Sequence, residues 1–164
     1  MGIKSKIKHT ISFLLHGEAK PIYANIHYLA PNELLKGKKI IITGGGRGLG
    51  FAMAKKFVSE GAQVLIAGRN EQTLQQSASE INCQYLALDV QDTTSFNPFL
   101  AKAGEMLGEI NCLVNNAGIT KDMLLMRMKK EDFESVIDVN LVGTFNITKN
   151  VIPLAKKKEP KATE

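Results

Sequence analysis

The chain predicts an α/β fold: a doubly wound parallel sheet with helices on both faces, incomplete, with about four strands present. Three observations predict it. Short apolar runs, often β-branched, alternate with longer stretches of helical periodicity. A glycine-rich turn follows the first run and opens the first helical stretch. The strand runs are apolar throughout, as strands covered on both faces require.

The elements follow in order. Ile40-Ile41-Ile42 is a buried strand, ended by Thr43-Gly44-Gly45-Gly46. Helical periodicity covers about residues 49–59, with Phe51, Ala54, Phe57 and Val58 on one face and Gly61 placed to end the helix. Val64-Leu65-Ile66-Ala67 is the second strand, and a helix over 71–81 returns the chain. Tyr85-Leu86-Ala87-Leu88 is the third, followed by a helix ending near Gly108. Asn111-Cys112-Leu113-Val114 is the fourth, and a long helix with an early break is expected over about 130–153. Right-handed crossovers are expected throughout.

The 164 residues fit one domain with a sizeable core, with residues 1–37 as an N-terminal extension, 38–155 as the α/β domain and 156–164 as a basic polar tail. The net charge of +5 sits at the two ends: Lys4, Lys6, Lys8 and Lys20 at one, Lys156, Lys157, Lys158 and Lys161 at the other. The stretch between them is balanced, so the broad basic face of a nucleic-acid binder is not expected. No apolar run is long enough to span a bilayer. Ile3, Ile7, Ile11 and Leu14 share one face of a short basic helix, suited to packing on the domain or a partner, or to an anionic membrane surface. The run Ile11-Ser12-Phe13-Leu14-Leu15 is too short for a signal peptide, and Met1-Gly2 lacks the following pattern for myristoylation. Cys83 and Cys112 are too few for a disulfide framework and are expected as buried strand thiols, which fits a cytoplasmic protein. No metal is expected.

The chemistry concentrates in Thr43-Gly44-Gly45-Gly46-Arg47-Gly48-Leu49-Gly50. A glycine-rich turn between strand and helix lets backbone N–H groups approach a pyrophosphate, and the helix start adds a favourable partial charge. Its spacing is Thr-Gly-x-x-x-Gly-x-Gly. Asp89-Val90 follows the third strand, Asn115-Asn116-Ala117-Gly118 follows the fourth, and Asn140 lies on the next helix.

In these four motifs, over about residues 36–155, the chain resembles the classical short-chain dehydrogenases/reductases. The resemblance implies a Rossmann-like sheet and a nicotinamide cofactor held by Gly44, Gly46, Arg47, Gly48, Leu49, Gly50, Arg69, Asn70, Asp89, Val90, Asn116, Ala117 and Gly118. It implies a place for Asn140 in a catalytic proton relay. An acid at the end of the second strand normally binds the ribose 2′-hydroxyl of NAD. Here Gly68 stands there, Arg69 follows, and Arg47 adds a second guanidinium suited to a 2′-phosphate. NADP(H) is therefore the expected cofactor.

The stretch from Asn116 through Thr120, Lys121 and Asp122 to Met128 and Lys129 looks most like bacterial 3-oxoacyl-acyl-carrier-protein reductases. That likeness implies reduction of a small-molecule or carrier-bound carbonyl to a hydroxyl, and a role in fatty acid biosynthesis. It implies a homo-oligomer in the complete form, with Lys156, Lys157 and Lys158 near the acidic carrier protein. Met123, Met126 and Met128 are expected to pack, with an acyl path as the alternative.

The family's mechanism also uses a serine and a Tyr-x-x-x-Lys pair. Tyr23, Tyr28 and Tyr85 are followed four residues later by His27, Asn32 and Asp89, so none forms that pair. The chain therefore reads as the N-terminal portion of a reductase cut short and inactive alone. The alternatives are a non-catalytic dinucleotide-binding module and one half of a split enzyme. With its fourth strand at an edge, the polypeptide made alone is expected to be marginal in stability, or to self-associate.

Overall fold

The computed structural model describes residue 30 and residues 32–155. The amphipathic N-terminal segment, Tyr23, Tyr28 and the lysines of the tail lie outside the described residues.

Four parallel strands form one sheet in the order β3-β2-β1-β4. They are β1 (Lys39–Thr43), β2 (Gln63–Gly68), β3 (Gln84–Ala87) and β4 (Cys112–Val114). Ile41 of β1 sits opposite Leu65 on one side and Leu113 on the other. Successive strand side chains point to opposite faces, so the β-branched run of β1 feeds two cores. Ile40 and Ile42 join Val64 and Ile66 beneath α1 (Gly48–Ser59) and α2 (Glu71–Ile81). Ile41 joins Leu65 and Ala67 beneath α3 (Phe96–Leu107) and α5 (Thr144–Ala155). This is the Rossmann-like doubly wound arrangement expected from the sequence.

Local chemistry sets the element ends. α1 stops at Ser59, and Gly61 follows in the left-handed region, where its N–H reaches the Val58 carbonyl. Asn70 caps α2, its side chain accepting from Thr73 N–H at 2.8 Å. β3 begins one residue earlier than the apolar run suggests and ends at Ala87, with Leu88 N–H making the last bond to β2, at the Gly68 carbonyl, 2.8 Å.

Other expectations are corrected. The long helix is three pieces: α4 (Lys130–Ile137), a π-helical turn over Asp138–Gly143, and α5. The wide turn coincides with a tight contact, since a Cβ on Gly143 would lie 2.8 Å from Val90 Cγ2. Helical structure continues through Pro153 to Ala155. Cys83 precedes β3 and is half-buried, and burial pushes its thiol up to about 11. Cys112 is in β4 but exposed, because β4 pairs only with β1 among the described residues. Met123 and Met126 do not pack: they are 52% and 89% exposed, around a 3-10 turn at Leu125–Arg127 rather than on a helix. No helix among the described residues is long and apolar enough to cross a membrane.

One buried carboxylate ties the chain before β1 to the domain. Glu60 is buried at the end of α1 and pairs with Lys56, while its carbonyl accepts from Leu35 N–H at 2.9 Å. The Lys56 hydrogen bond holds the Glu60 carboxyl below its ordinary range, against the opposing effect of burial. A lowered folded pKa means stability present above the unfolded value of roughly 4.3 and lost as pH falls through the folded value. The melting temperature should drop between about pH 5 and pH 3, and Glu60→Gln should flatten that drop. Parallel melting curves for the two proteins across that interval would show that Glu60 carries none of it.

Candidate functional site: a cleft at the switch point of the sheet

The chain runs β1, β2, β3 outward in one direction, then returns to place β4 on the other side of β1. At such a reversal, the loops leaving the carboxyl ends of neighbouring strands diverge and open a crevice. A cleft of about 480 Å³ lies there. Eleven of the sequence-selected residues line it: Gly44, Gly46, Arg47, Gly48, Arg69, Asn70, Asp89, Val90, Asn116, Ala117 and Gly118.

The glycine turn is built by close approach. Gly44 has φ +66°, and a Cβ there would lie 2.9 Å from Ala117 Cα. Gly50, in the first turn of α1, is packed so tightly that a Cβ would stand 2.3 Å from the Gly44 carbonyl oxygen. Gly50 therefore supports the cleft floor without lining it. Leu49 does not line it either, and its side chain is 80% exposed.

The two helix starts beside the cleft differ. At α2, the Asn70 side chain occupies a backbone N–H and Glu71 supplies a negative charge in the first turn. At α1, the N-cap is Arg47, which makes no side-chain capping bond, and the first turn holds no acid. The early N–H groups of a helix need partners and favour an anion. α1 thus offers an open anion seat over a glycine turn that brings backbone close. Arg47 and Arg69 border the same cleft, both exposed, and neither forms an ion pair among the described residues. Asp89 is the acid in the lining, and its Oδ1 accepts from Gln91 N–H at 3.0 Å.

The other wall is held by polar cross-links. The Thr43 hydroxyl donates to the Val114 carbonyl at 3.3 Å and accepts from Asn116 N–H and Ala117 N–H, each at 3.1 Å. The Asn116 amide donates to the Thr43 and Gly44 carbonyls, both at 3.1 Å. Asn115 reaches the Thr148 hydroxyl on α5 at 2.9 Å. Asn140 lies in the π-helical turn, outside the main cleft and beside a smaller one of about 250 Å³ that shares Ile119. Its amide grips one residue from both sides, accepting from Ile119 N–H and donating to the Ile119 carbonyl, each at 2.9 Å.

Sequence reasoning passed over Thr73, Leu74, Leu88, Ile119 and Val139, which also line the cleft. Leu74, Leu88 and Val139 are apolar core positions by pattern, and nothing local marks them as lining. Tyr85, the one tyrosine among the described residues, packs against the core on β3, away from the cleft.

The glycine turn, the open helix start and the cross-linked strand ends match a known architecture. The family model described as short chain dehydrogenase matches residues 38–161. The chain belongs to the short-chain dehydrogenase family. Within that family, it is 40% identical over 132 residues to the 3-oxoacyl-acyl-carrier-protein reductase FabG of Chlamydia muridarum, covering 76% of this chain and 53% of the relative. The FabG of Thermotoga maritima is also 40% identical, over 73% of this chain and 50% of its own length. A solved short chain dehydrogenase structure from Bacillus anthracis superposes with a TM-score of 0.68 at 32% identity, covering 71% of this chain and 51% of that one. The chain thus spans about half the length of the curated relatives it matches.

The buried Thr43 hydroxyl makes three hydrogen bonds, so removing it leaves unpaired groups at the junction of β1 and β4. Thr43→Val should cost about 2 kcal/mol in chemical denaturation, and Thr43→Ser should recover most of it. A valine variant as stable as the parent would mean that the junction is held by packing alone.

Proposed function

We propose that this chain is the NADP(H)-binding portion of a cytoplasmic carbonyl reductase, whose whole protein reduces a 3-oxoacyl group on acyl carrier protein to the hydroxyacyl. The observation that carries the cofactor reading is the pair of arginines at one cleft. Arg47 and Arg69 are free of ion pairs among the described residues, and Gly68 occupies the end of β2, where a carboxylate would meet a ribose 2′-hydroxyl. A guanidinium pairs well with a phosphate dianion and poorly with a hydroxyl.

The residues present fit such a cofactor. Gly44 and Gly50 let the turn, the first turn of α1 and the chain after β4 pack backbone to backbone, which brings the uncapped start of α1 to the cleft to accept the pyrophosphate. Arg47 and Arg69 hold the 2′-phosphate, with Asp89 and Val90 on the adenine side. Asn116, Ala117 and Gly118 border the inner end of the cleft. When bound, NADPH supplies the hydride delivered to the carbonyl carbon. Asn140 contributes by fixing Ile119, so that the strand end holds its shape beside the cofactor. The 3-oxoacyl substrate class and the carrier partner rest on the names of the relatives, and a homo-oligomeric whole protein follows from the same likeness.

Titration of the chain with NADPH and NADH, followed by nucleotide fluorescence, tests the cofactor reading. NADPH should bind at least about tenfold more tightly. Arg47→Ala and Arg69→Ala should each remove most of that advantage while leaving NADH nearly unaffected. Equal affinity of the parent chain for the two nucleotides would sink the proposal.

A further inference from the structure

Ser77 lies two turns into α2, outside the cleft, yet it touches the glycine turn. Its hydroxyl donates to the Gly46 carbonyl at 2.7 Å, across 31 residues of sequence. α2 lies close at this point: a Cβ on Gly46 would meet the Leu74 side chain at 3.3 Å and that of Thr73 at 3.4 Å.

The peptide unit is planar, so the Gly46 carbonyl and the Arg47 N–H belong to one rigid plate. Fixing the oxygen fixes where Arg47 leaves the turn. The preceding residue is pinned as well, because Gly45 N–H reaches the Ala67 carbonyl on β2 at 3.2 Å. Arg69 hangs from the same frame. Gly68 before it accepts from Leu88 N–H, and Asn70 after it caps α2. Both guanidinium-bearing backbones are thus attached to one helix: Arg69 through the cap, Arg47 through Ser77.

We propose that Ser77 is a specificity-positioning residue, holding Arg47 in register with Arg69 so that both close on one 2′-phosphate. The inference rests on the cofactor reading above. Loss of the hydroxyl frees the Gly46–Arg47 plate, and a site built from two long side chains loses most when their bases move apart. The far wall around Asn116 is held by its own bonds to Thr43 and Gly44 and does not share this one.

The test uses two half-cofactors, adenosine 2′,5′-bisphosphate and AMP, which differ only in the 2′-phosphate. Calorimetric titration of the parent chain should favour the bisphosphate. Ser77→Ala should reduce that preference by roughly fivefold with AMP affinity unchanged, and Ser77→Thr, which keeps the hydroxyl, should restore it. If the alanine chain does not fold, Ser77→Cys, a weak donor, should give an intermediate preference. A preference retained in Ser77→Ala, or in Ser77→Cys where that variant is the one measured, overturns the inference. Equal weakening of both probes overturns it too, since that marks a structural role only. A parent chain without preference defeats the cofactor reading itself. A parent preference lost in Arg47→Ala but kept in Ser77→Ala defeats Ser77 alone.

Discussion

Everything at the cleft depends on the hydroxyl of Thr43. It is buried at the end of β1, where two neighbouring strands send their chains in different directions. A parallel sheet bonds its strands along their length but leaves the departing loops free. Here one oxygen takes two N–H groups from the chain leaving β4 and gives its own proton to Val114. Asn116 returns two bonds to the carbonyls of Thr43 and Gly44. The glycine turn is thereby fixed to a strand that is more than 70 residues away in sequence. Without that knot, Gly44 and Ala117 would have no reason to approach within the space of a methyl group.

The knot explains why the glycines are where they are. Their use is less to bend the chain than to let three backbones meet: the turn, the first turn of α1 and the segment after β4. Gly50 is the clearest case, since its missing side chain is the gap through which α1 contacts the Gly44 carbonyl. The result is a helix start brought close to the cleft and left uncapped. The neighbouring α2 caps one N–H with Asn70 and carries the acid Glu71 in its first turn. Two helix starts border one crevice, and that of α1 has neither a side-chain cap nor an acid in its first turn. Arg47 and Arg69 then add positive charge at the same end, so the electrostatics of the cleft are graded from one wall to the other.

The two central strands, β1 and β2, were legible because they are buried on both faces, and such strands are apolar along their run. The β-branched run of β1 and the Val64 to Ala67 run carry that signature without ambiguity. The glycine turn was legible for a different reason: its spacing only makes sense between a strand and a helix. What could not be read were features set by contacts between distant segments. Ser77 and Thr43 are small polar residues whose bonds span 31 and more than 70 residues. The π-helical turn arises where Gly143 meets Val90, a contact with no local trace. Cys112 and the methionines misled because apolar composition suggests burial, whereas the exposure of a strand residue depends on what covers that side of the sheet.

That last point divides the molecule into two unequal sides. On the side of β1, β2 and α2, the glycine turn is braced by bonds to Ala67 and Ser77, and Asn70 caps α2. On the side of β4, among the described residues, Leu141, Val142, Phe145 and Ile152 are exposed along the helical stretch, and β4 has one neighbour. Surface of that kind is uncommon on an isolated monomer. Asn140 sits on this second side, and its two hydrogen bonds to Ile119, with that of Asn115 to Thr148, hold the segment after β4 against the helical stretch. The wall on the β2 side is therefore tied to α2, whereas the segment after β4 is tied to β1 by Thr43 and Asn116 and to the helical stretch by Asn115 and Asn140.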